Sequence, residues 1–206
     1  MEFLVTMTTH VPQGTPDAAV DDVRTREAAH SQELAAEGRL LRLWRPPLAP
    51  GEWRTLGLFE ADDRASLETV LLSMPLRIWR TDEVLPLSPH ANDPNRQVDQ
   101  RRASAARGEG SEFFTTFTIS IPQGTSSNVV DAANAREADR ARELAGQGRL
   151  LRLWALPGEG LALGLWRACD AADMGAILES LPLQPWARVE TVQLAPHPSD
   201  PGLTHS

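Results

Sequence analysis

One carboxylate lies among the apolar positions of a predicted helix. The sequence favours a helix over Thr15–Glu37, and within it Val20, Glu27 and Leu34 recur at seven-residue spacing, so they share one face. A carboxylate on a buried face is costly unless a cation pairs with it or it holds a proton, and either condition shifts its pKa. A carboxylate with a raised pKa in an apolar pocket is suited to abstracting a proton next to a carbonyl group.

The strand after this helix carries an arginine beside a tryptophan. Because side chains alternate along a strand, Arg42 and Trp44 share one of its faces. Such a pair can hold a flat organic ligand that bears a carboxylate. The open alternative is structural: Trp44 belongs to the core, and Glu27 is ion-paired with Arg42, Arg26 or Arg45.

Histidines are the remaining candidates for chemistry. His30 lies one helical turn beyond Glu27 on nearly the same face, so it is a candidate for the same pocket. His90 and His197 each follow the last predicted strand of one half of the chain and are a weak metal signal. We therefore predict no metal site.

The residues around these features occur twice. The seven residues Gly38–Trp44 recur letter for letter at 148–154, and Arg26–Glu27 recurs as Arg136–Glu137. The second copy thus repeats the candidate base, Glu137, and the candidate ligand-binding residues Arg136, Arg152 and Trp154. At three positions it differs, with Asn134 for Arg24, Arg140 for His30 and Ala155 for Arg45. We expect the first copy to hold the more active site.

Each copy predicts the element order βαββαβ, the ferredoxin-like split unit of the α+β class. In the first copy the predicted strands are Glu2–Thr9, Leu40–Arg45, Trp53–Glu60 and Ile78–Leu87, with Asp62 capping the second helix. In the second copy they are Glu112–Ser120, Leu150–Ala155, Leu161–Arg167 and Trp186–Leu194, with helices Thr125–Gln147 and Asp170–Glu179. Because a lone sheet with helices on one face leaves its other face exposed, we expect the two sheets to pack together as an intramolecular pseudo-dimer.

The repeat also sets the expected domain boundaries. Residues 1–90 and 112–197 are the two predicted domains, joined by a polar linker at 91–111. Residues 198–206 are expected to form a frayed tail. Beyond the internal pairing, a further homo-oligomer stays open.

Composition excludes several classes of function. The 206 residues carry a net charge of -8 with a pI near 5.1, which argues against a nucleic-acid partner. No apolar run approaches the roughly 18 residues of a membrane span, and no signal peptide is evident, so we expect a cytoplasmic protein. The sequence contains no lysine and no tyrosine, which excludes a lysine Schiff base and a phenolic acid or base.

The pattern of these residues resembles a known family. The run Arg24-x-Arg26-Glu27, followed by Ser31, Leu34, Glu37-Gly38, Trp44-Arg45 and a closing Pro-Leu-x-x-His, is similar to muconolactone Δ-isomerase. The resemblance covers nearly the whole of each copy. It implies a dimeric α/β-barrel domain and a cofactor-free isomerase that moves a proton on an unsaturated lactone in aromatic-ring catabolism. It also implies that Glu27 is the base and that Arg26, Trp44 and Arg45 belong to the pocket.

Three functional hypotheses follow. The first is a cofactor-independent isomerase or cyclase acting on a small unsaturated lactone or carbonyl compound, in aromatic catabolism or in specialised, polyketide-like metabolism. The second is cofactor-free oxygenation of an aromatic substrate. The third is a non-catalytic binding or assembly module in which Glu27 and Glu137 are ion-paired. An open cavity that reaches Glu27 favours an enzyme, whereas a filled helix–sheet interface favours the module.

Overall fold

The computed structural model describes residues 1–94 and 110–203, and the chain divides into two compact units. Unit 1 consists of Met1–Leu87 together with the C-terminal stretch that begins at Ala195, and unit 2 consists of Ser88–Leu194. Each unit therefore contains one copy of the repeat and the short stretch that follows the last strand of the other copy.

Unit 1 has the predicted ferredoxin-like order. Its elements are strand β1 (Glu2–Thr9), helix α1 (Asp17–Ala36), strands β2 (Leu40–Arg45) and β3 (Arg54–Glu60), helix α2 (Arg64–Ser73), a 3-10 helix (Pro75–Trp79) and strand β4 (Arg80–Pro89). Strand β1 pairs antiparallel with both β3 and β4, and β2 pairs with β3, so the sheet order is β4-β1-β3-β2. The last strand begins at Arg80 rather than at the predicted Ile78, because the preceding five residues form the 3-10 helix.

The helix ends of unit 1 follow from local sequence. Helix α1 ends before Gly38, whose φ of +72° is a left-handed conformation that favours glycine. This turn lets the Arg39 N–H donate to the Leu34 carbonyl at 2.8 Å and directs the chain into β2. Helix α2 is capped by Asp63, which accepts from the Ser66 N–H at 2.7 Å. The predicted cap, Asp62, is wrong by one residue.

The core of unit 1 fills the space between the two helices and one face of the sheet. Its buried members are Phe3, Val5, Met7, Leu34, Leu40, Leu43, Phe59, Leu67, Val70, Leu71 and Met74. The alternation of the strand residues and the helical spacing of the others account for this face.

The C-terminal stretch of unit 1 is ordered, so the expected frayed tail is wrong for its described part. Ala195 and Pro196 extend the sheet by pairing with Arg45 and Trp44 at the end of β2. A short 3-10 helix follows at Pro201–Leu203. The cause is a buried carboxylate, Asp200, which holds the stretch on the sheet.

Unit 2 repeats the architecture of unit 1. Its elements are β5 (Ser111–Ile119), α3 (Ser127–Gly146), β6 (Leu150–Ala155), β7 (Leu161–Ala168), α4 (Ala171–Glu179) and β8 (Ala187–Pro196). Strand β5 pairs antiparallel with β7 and β8, and β6 pairs with β7, so the sheet order is β8-β5-β7-β6. The predicted βαββαβ order is confirmed for this copy as well.

The start of the predicted linker belongs to unit 2. Ser88 and Pro89 pair with Ala155 and Trp154 of β6, and Asp93 is buried. The linker expectation is therefore wrong for residues 91–94. Most of that segment, residues 95–109, lies outside the described residues.

Candidate active site

A cavity of about 170 Å³ opens in unit 1 between α1 and the sheet. Residues of β1, α1, β2, β3, the 3-10 helix and β4 line it, and the C-terminal stretch contributes His197, Pro198 and Ser199. Its polar side chains are Thr9, Arg24, Glu27, Ser31, Arg45, Thr55, Arg80, His197 and Ser199. The sequence places a buried carboxylate on this face of α1, and the structure brings cations to it from distant segments.

Glu27 accepts two hydrogen bonds at the inner end of the cavity. Its Oε2 accepts from the Leu76 backbone N–H at 2.8 Å, and its Oε1 accepts from Nη1 of Arg80 at 3.1 Å. The Leu76 N–H is available because it lies in the first turn of a 3-10 helix, where backbone donors have no partner within the helix. Burial raises the pKa of Glu27, while the Leu76 N–H, Arg80 and His30 oppose this rise and Asp82 adds to it.

Arg80 is shared between two carboxylates. Its Nε lies 2.6 Å from Oδ1 of Asp82, and its Nη2 lies 3.1 Å from Oδ2 of the same residue. The side chains of Arg80 and Asp82 are 1% and 4% exposed, so both charges are buried. Arg80 also pairs with Asp82, so its positive charge stabilises the Glu27 carboxylate only in part. Burial therefore still raises the pKa of Glu27.

Two further arginines line the outer part of the cavity. The guanidinium of Arg24 lies 4.9 Å from the ring centroid of Trp53, a cation–π arrangement that orients it. Arg45 forms no salt bridge with any residue in the described ranges. The outer wall therefore offers positive charge to an anionic ligand.

His197 lines the same cavity as a neutral imidazole. Burial and the neighbouring charge of Arg45 lower the pKa of His197 to about 4, and Asp200 opposes this shift. Its Nδ1 accepts from the Ser199 backbone N–H at 3.1 Å. In a neutral ring that accepts at Nδ1, the proton resides on Nε2.

Two residues predicted for the pocket lie away from the cavity on α1. Arg26 is exposed and pairs with Asp22 at 3.0 Å. His30 contacts Glu33 through Nδ1 and Ser73 through Nε2, each at 2.8 Å. The structure brings neither side chain to the cavity wall.

Arg42 and Trp44 lie together as predicted, but outside the cavity. The Arg42 guanidinium lies 4.8 Å from the ring centroid of Trp44, which is fully buried. The Nη2 of Arg42 lies 3.0 Å from Oδ2 of Asp200, and the Leu43 N–H donates to Oδ1 of Asp200 at 2.9 Å. This Arg42–Asp200 pair fixes the C-terminal stretch on β2, so the geometry matches the structural alternative for Arg42. Of the predicted ligand-binding residues of the first copy, only Arg45 lines the cavity.

Unit 2 keeps the carboxylate and its backbone donor. Oε2 of Glu137 accepts from the Leu183 N–H at 2.9 Å, and burial raises the pKa of Glu137 while this hydrogen bond opposes the rise. Arg136 points to the Ala132 carbonyl on the helix surface. Arg152 lies 4.7 Å from the ring centroid of Trp154 and pairs with Asp93 at 3.3 Å, as Arg42 does with Asp200.

Five of the nine polar residues that line the cavity have apolar counterparts in unit 2. Matched by position, the replacements are Ile119 for Thr9, Ala141 for Ser31, Ala155 for Arg45, Ala162 for Thr55 and Ala187 for Arg80. Around Ala187, the residue that matches Arg80, unit 2 has a cavity of only about 10 Å³. Apolar side chains that include Phe117 and Ile119 line this cavity. That volume holds a water molecule at most.

Sequence reasoning missed Arg80 and Asp82, and it considered His197 only as a weak metal signal. Arg80 is 53 positions from Glu27, and only the fold brings them together. A signal was nonetheless present, since Arg80 and Asp82 stand where the second copy has Ala187 and Val189. Unit 2 has the same architecture without this charged pair, so the architecture does not depend on it.

Within residues 1–94 and 110–203, no cluster of three or more His, Cys, Asp or Glu side chains could hold a metal ion. In the same ranges, no helix combines the length and the apolar character that a membrane crossing requires.

Comparison with solved structures establishes the class of fold. A haem-binding protein from Thermus thermophilus matches 97% of this chain with a TM-score of 0.60 at 11% identity, and the match covers 93% of that protein. A mutant chlorite dismutase from Candidatus Nitrospira defluvii matches 94% of this chain with a TM-score of 0.60 at 10% identity, over 92% of its own length. At such identities the likeness shows the fold alone, and it confirms the α+β class with two ferredoxin-like repeats.

Sequence comparison establishes the family. The family model for muconolactone delta-isomerase matches residues 1–93 and again residues 111–200, so the chain belongs to this family as a tandem of two copies. Muconolactone Delta-isomerase of Cupriavidus pinatubonensis is 33% identical over 90 residues, which are 44% of this chain and 95% of that protein. Muconolactone Delta-isomerase 1 of Acinetobacter lwoffii is 32% identical over 90 residues, 44% of this chain and 91% of that protein.

Proposed function

We propose that unit 1 is a cofactor-independent isomerase that moves a proton on a small unsaturated lactone or carbonyl compound bearing a carboxylate. The observation that carries the proposal is the position of Glu27, a largely buried carboxylate with a raised pKa that faces an open cavity beside three arginines. The names of the family's members support the same reaction class.

The proposed reaction needs only the side chains of the cavity. The Glu27 carboxylate removes a proton from the carbon at the far end of the conjugated system, and the electron pair of the broken C–H bond moves through the double bond towards the carbonyl oxygen. The protonated Glu27 then returns the proton to the carbon next to the carbonyl group, so the double bond shifts and the composition of the substrate is unchanged. Arg24 and Arg45 bind the carboxylate of the substrate at the outer wall.

Glu137 has a structural role in this proposal. It meets the Leu183 N–H as Glu27 meets the Leu76 N–H, but the polar wall that would bind a substrate is replaced by Ile119, Ala155 and Ala187. These apolar replacements favour the non-catalytic alternative for unit 2, while the open cavity that Glu27 lines favours catalysis in unit 1.

The test compares Glu27→Gln with Glu137→Gln in the full chain, with muconolactone as the first substrate. Glutamine keeps the size of the side chain and can accept from the same backbone N–H, but it cannot take a proton. We expect kcat of Glu27→Gln to fall by about 10²–10⁴-fold, while Glu137→Gln stays within about twofold of the wild-type protein. Proton NMR in D₂O measures both turnover and deuterium incorporation at the two carbons.

Two results would contradict the proposal. One is a folded Glu27→Gln variant, verified by circular dichroism, that retains full activity. The other is equal loss of activity in both variants, which would assign a role to unit 2. An oxygen electrode in the same assay separates isomerisation, which consumes no oxygen, from cofactor-free oxygenation.

A further inference from the structure

The C-terminal stretch contributes to the cavity a side chain that takes no part in the proton transfer by Glu27. His197 follows directly after the residues that pair with β2, and its own N–H donates to the Leu43 carbonyl at 3.4 Å. Leu43 also donates its N–H to Asp200, so one residue of β2 holds the stretch at two points. The backbone of His197 is therefore fixed against the cavity wall.

Asp200 is the anchor of this arrangement. Its side chain is fully buried, and Arg42 reaches it through both Nε and Nη2 at 3.0–3.2 Å. The Gly202 N–H donates to Asp200 Oδ1 at 3.2 Å. A Cβ at Gly202 would lie 2.6 Å from Nε of Arg42, so the stretch packs closely on the guanidinium. Such a buried, bidentate pair holds its geometry firmly.

The hydrogen bond from the Ser199 N–H selects one tautomer of His197. Because Nδ1 is the acceptor, Nε2 carries the proton of the neutral ring. No residue in the described ranges accepts a hydrogen bond from Nε2. A neutral N–H donor is thus available to a molecule in the cavity that Glu27 also lines.

We propose that His197 is a further catalytic residue, whose Nε2–H donates a hydrogen bond to the substrate carbonyl oxygen as Glu27 removes the proton. This inference rests on the proposed function. Negative charge builds on that oxygen when the electron pair of the C–H bond moves towards it, and a donor held in a fixed position stabilises the charge in the transition state. No proton leaves His197, so the composition balances with Glu27 as the only proton carrier.

The charged groups around the ring agree with this role. Arg45 of β2 disfavours a second proton on the ring, and it outweighs the opposing effect of Asp200. A neutral imidazole N–H is a poor acid, so it polarises a carbonyl without transferring its proton to the enolate. Glu27 and Arg80 line other walls of the cavity. Glu27 carries the proton in the proposed reaction, and Arg80 balances its negative charge.

His90 of unit 2 is the matched control. Its Nδ1 accepts from the Asn92 N–H at 3.1 Å, which reproduces the local geometry of His197 and Ser199. In that copy Ala155 and Ala187 replace Arg45 and Arg80 of the proposed site. A change at His90 therefore removes the same local hydrogen bond without touching the proposed site.

The test measures muconolactone turnover by His197→Ala, His197→Gln and His90→Ala in the full chain. We expect kcat of His197→Ala to fall by about 100-fold, with KM changed less than about threefold, because the donor acts in the transition state. Glutamine has a side-chain N–H near the position of Nε2, so His197→Gln should recover part of the loss. His90→Ala should stay within about twofold of the wild-type protein.

A second measurement needs no turnover. In the protein with ¹⁵N-labelled histidine, His197 should be a neutral Nε2–H tautomer at pH 7, and saturating the Glu27→Gln variant with muconolactone should shift its Nε2 signal but not that of His90. A His197 ring that is protonated on Nδ1, or a signal that does not respond to bound lactone, would overturn the inference even where the alanine variant fails to fold.

The outcomes separate the two proposals. Loss of activity in Glu27→Gln together with wild-type kcat in His197→Ala overturns the role of His197 alone. Full activity in Glu27→Gln, or no turnover by the wild-type protein, overturns the proposed function and the role of His197 with it.

Discussion

The cavity of unit 1 and its counterpart in unit 2 share a backbone and a carboxylate but differ in almost every polar side chain around them. Both glutamates lie at the same position of the first helix of the copy and accept from a backbone N–H, that of Leu76 or Leu183. Only Glu27 has an arginine beside it among the described residues, and the polar cavity of about 170 Å³ that it lines contrasts with the apolar cavity of about 10 Å³ in unit 2. The contact between glutamate and backbone is therefore a property of the fold, and the surrounding residues distinguish a site from a core.

The buried arginine–aspartate pairs give the opposite comparison. Arg42 with Asp200 and Arg152 with Asp93 keep the same partners, and each arginine stacks on a tryptophan. Because this arrangement occurs in both units although the residues around the two glutamates differ, it serves the fold in both units. Only in unit 1 does the anchored stretch also present a histidine to a cavity with a polar wall.

The largest expected effect is the loss of either anchor. Asp200→Asn and Asp93→Asn each remove a buried charge that pairs with a half-buried arginine, which costs about 3–5 kcal/mol. For a chain of this size we expect the melting temperature to fall by about 6–15 °C in both variants, measured by differential scanning calorimetry. Only Asp200→Asn should also lower kcat, because it releases His197. Equal kcat values for the two folded variants would break the comparison.

An intermediate effect is expected at the outer wall. Arg45 has no salt bridge among the described residues and is exposed, so Arg45→Ala, the residue that unit 2 has at this position, should leave stability nearly unchanged. If Arg45 binds a substrate carboxylate, its loss removes a charge-assisted hydrogen bond, and KM should rise by about 10–100-fold. Arg39→Ala, an exposed arginine paired with Glu37 outside the cavity, is the control. An unchanged KM in steady-state kinetics would remove Arg45 from the proposed site.

The smallest effect concerns Glu137 and pH. Burial raises its pKa above the ordinary value near 4.5, so the folded protein binds this proton more tightly than the unfolded chain. The raised pKa therefore lowers the free energy of unfolding. This destabilisation is absent below pH 4.5, grows as pH rises towards the raised pKa and is complete above it. Glu137→Gln removes this cost, so it should raise the melting temperature by about 1–3 °C at about pH 7 and leave it unchanged at about pH 4. A thermal shift that is the same at both pH values would show that burial of the charge is not the cause.

Local patterns were sufficient for the fold. The repeat of Gly38–Trp44 showed the duplication, and alternation and helical spacing placed the strands and helices of both copies close to their observed ends. Glu27 could be found because a single carboxylate on an apolar stripe stands out in a helical pattern. Its neighbour Arg26 was wrongly assigned to the pocket, since adjacent helical residues point about 100° apart and Arg26 faces solvent.

Long-range contacts were beyond such patterns. The adjacency of Arg42 and Trp44 follows from strand alternation, but nothing local indicates that Arg42 is bound by Asp200, 158 positions later. The polar composition of the C-terminal stretch is typical of a frayed end. The structure instead holds the stretch on β2 through one buried aspartate, Asp200. Position-by-position comparison of the two copies is the additional source of information, because it singles out Arg80 and Asp82 without any structure.

The composition of unit 1 has a consequence for its synthesis. Most of the unit emerges from the ribosome first, yet its cavity takes His197, Pro198 and Ser199 from beyond the intervening unit 2. At a typical elongation rate of about 5–20 residues per second, the roughly 100 residues between take about 5–20 s to translate. During that interval the Arg42–Asp200 ion pair cannot form. Unit 1 therefore completes its fold only after the C-terminal stretch has been synthesised.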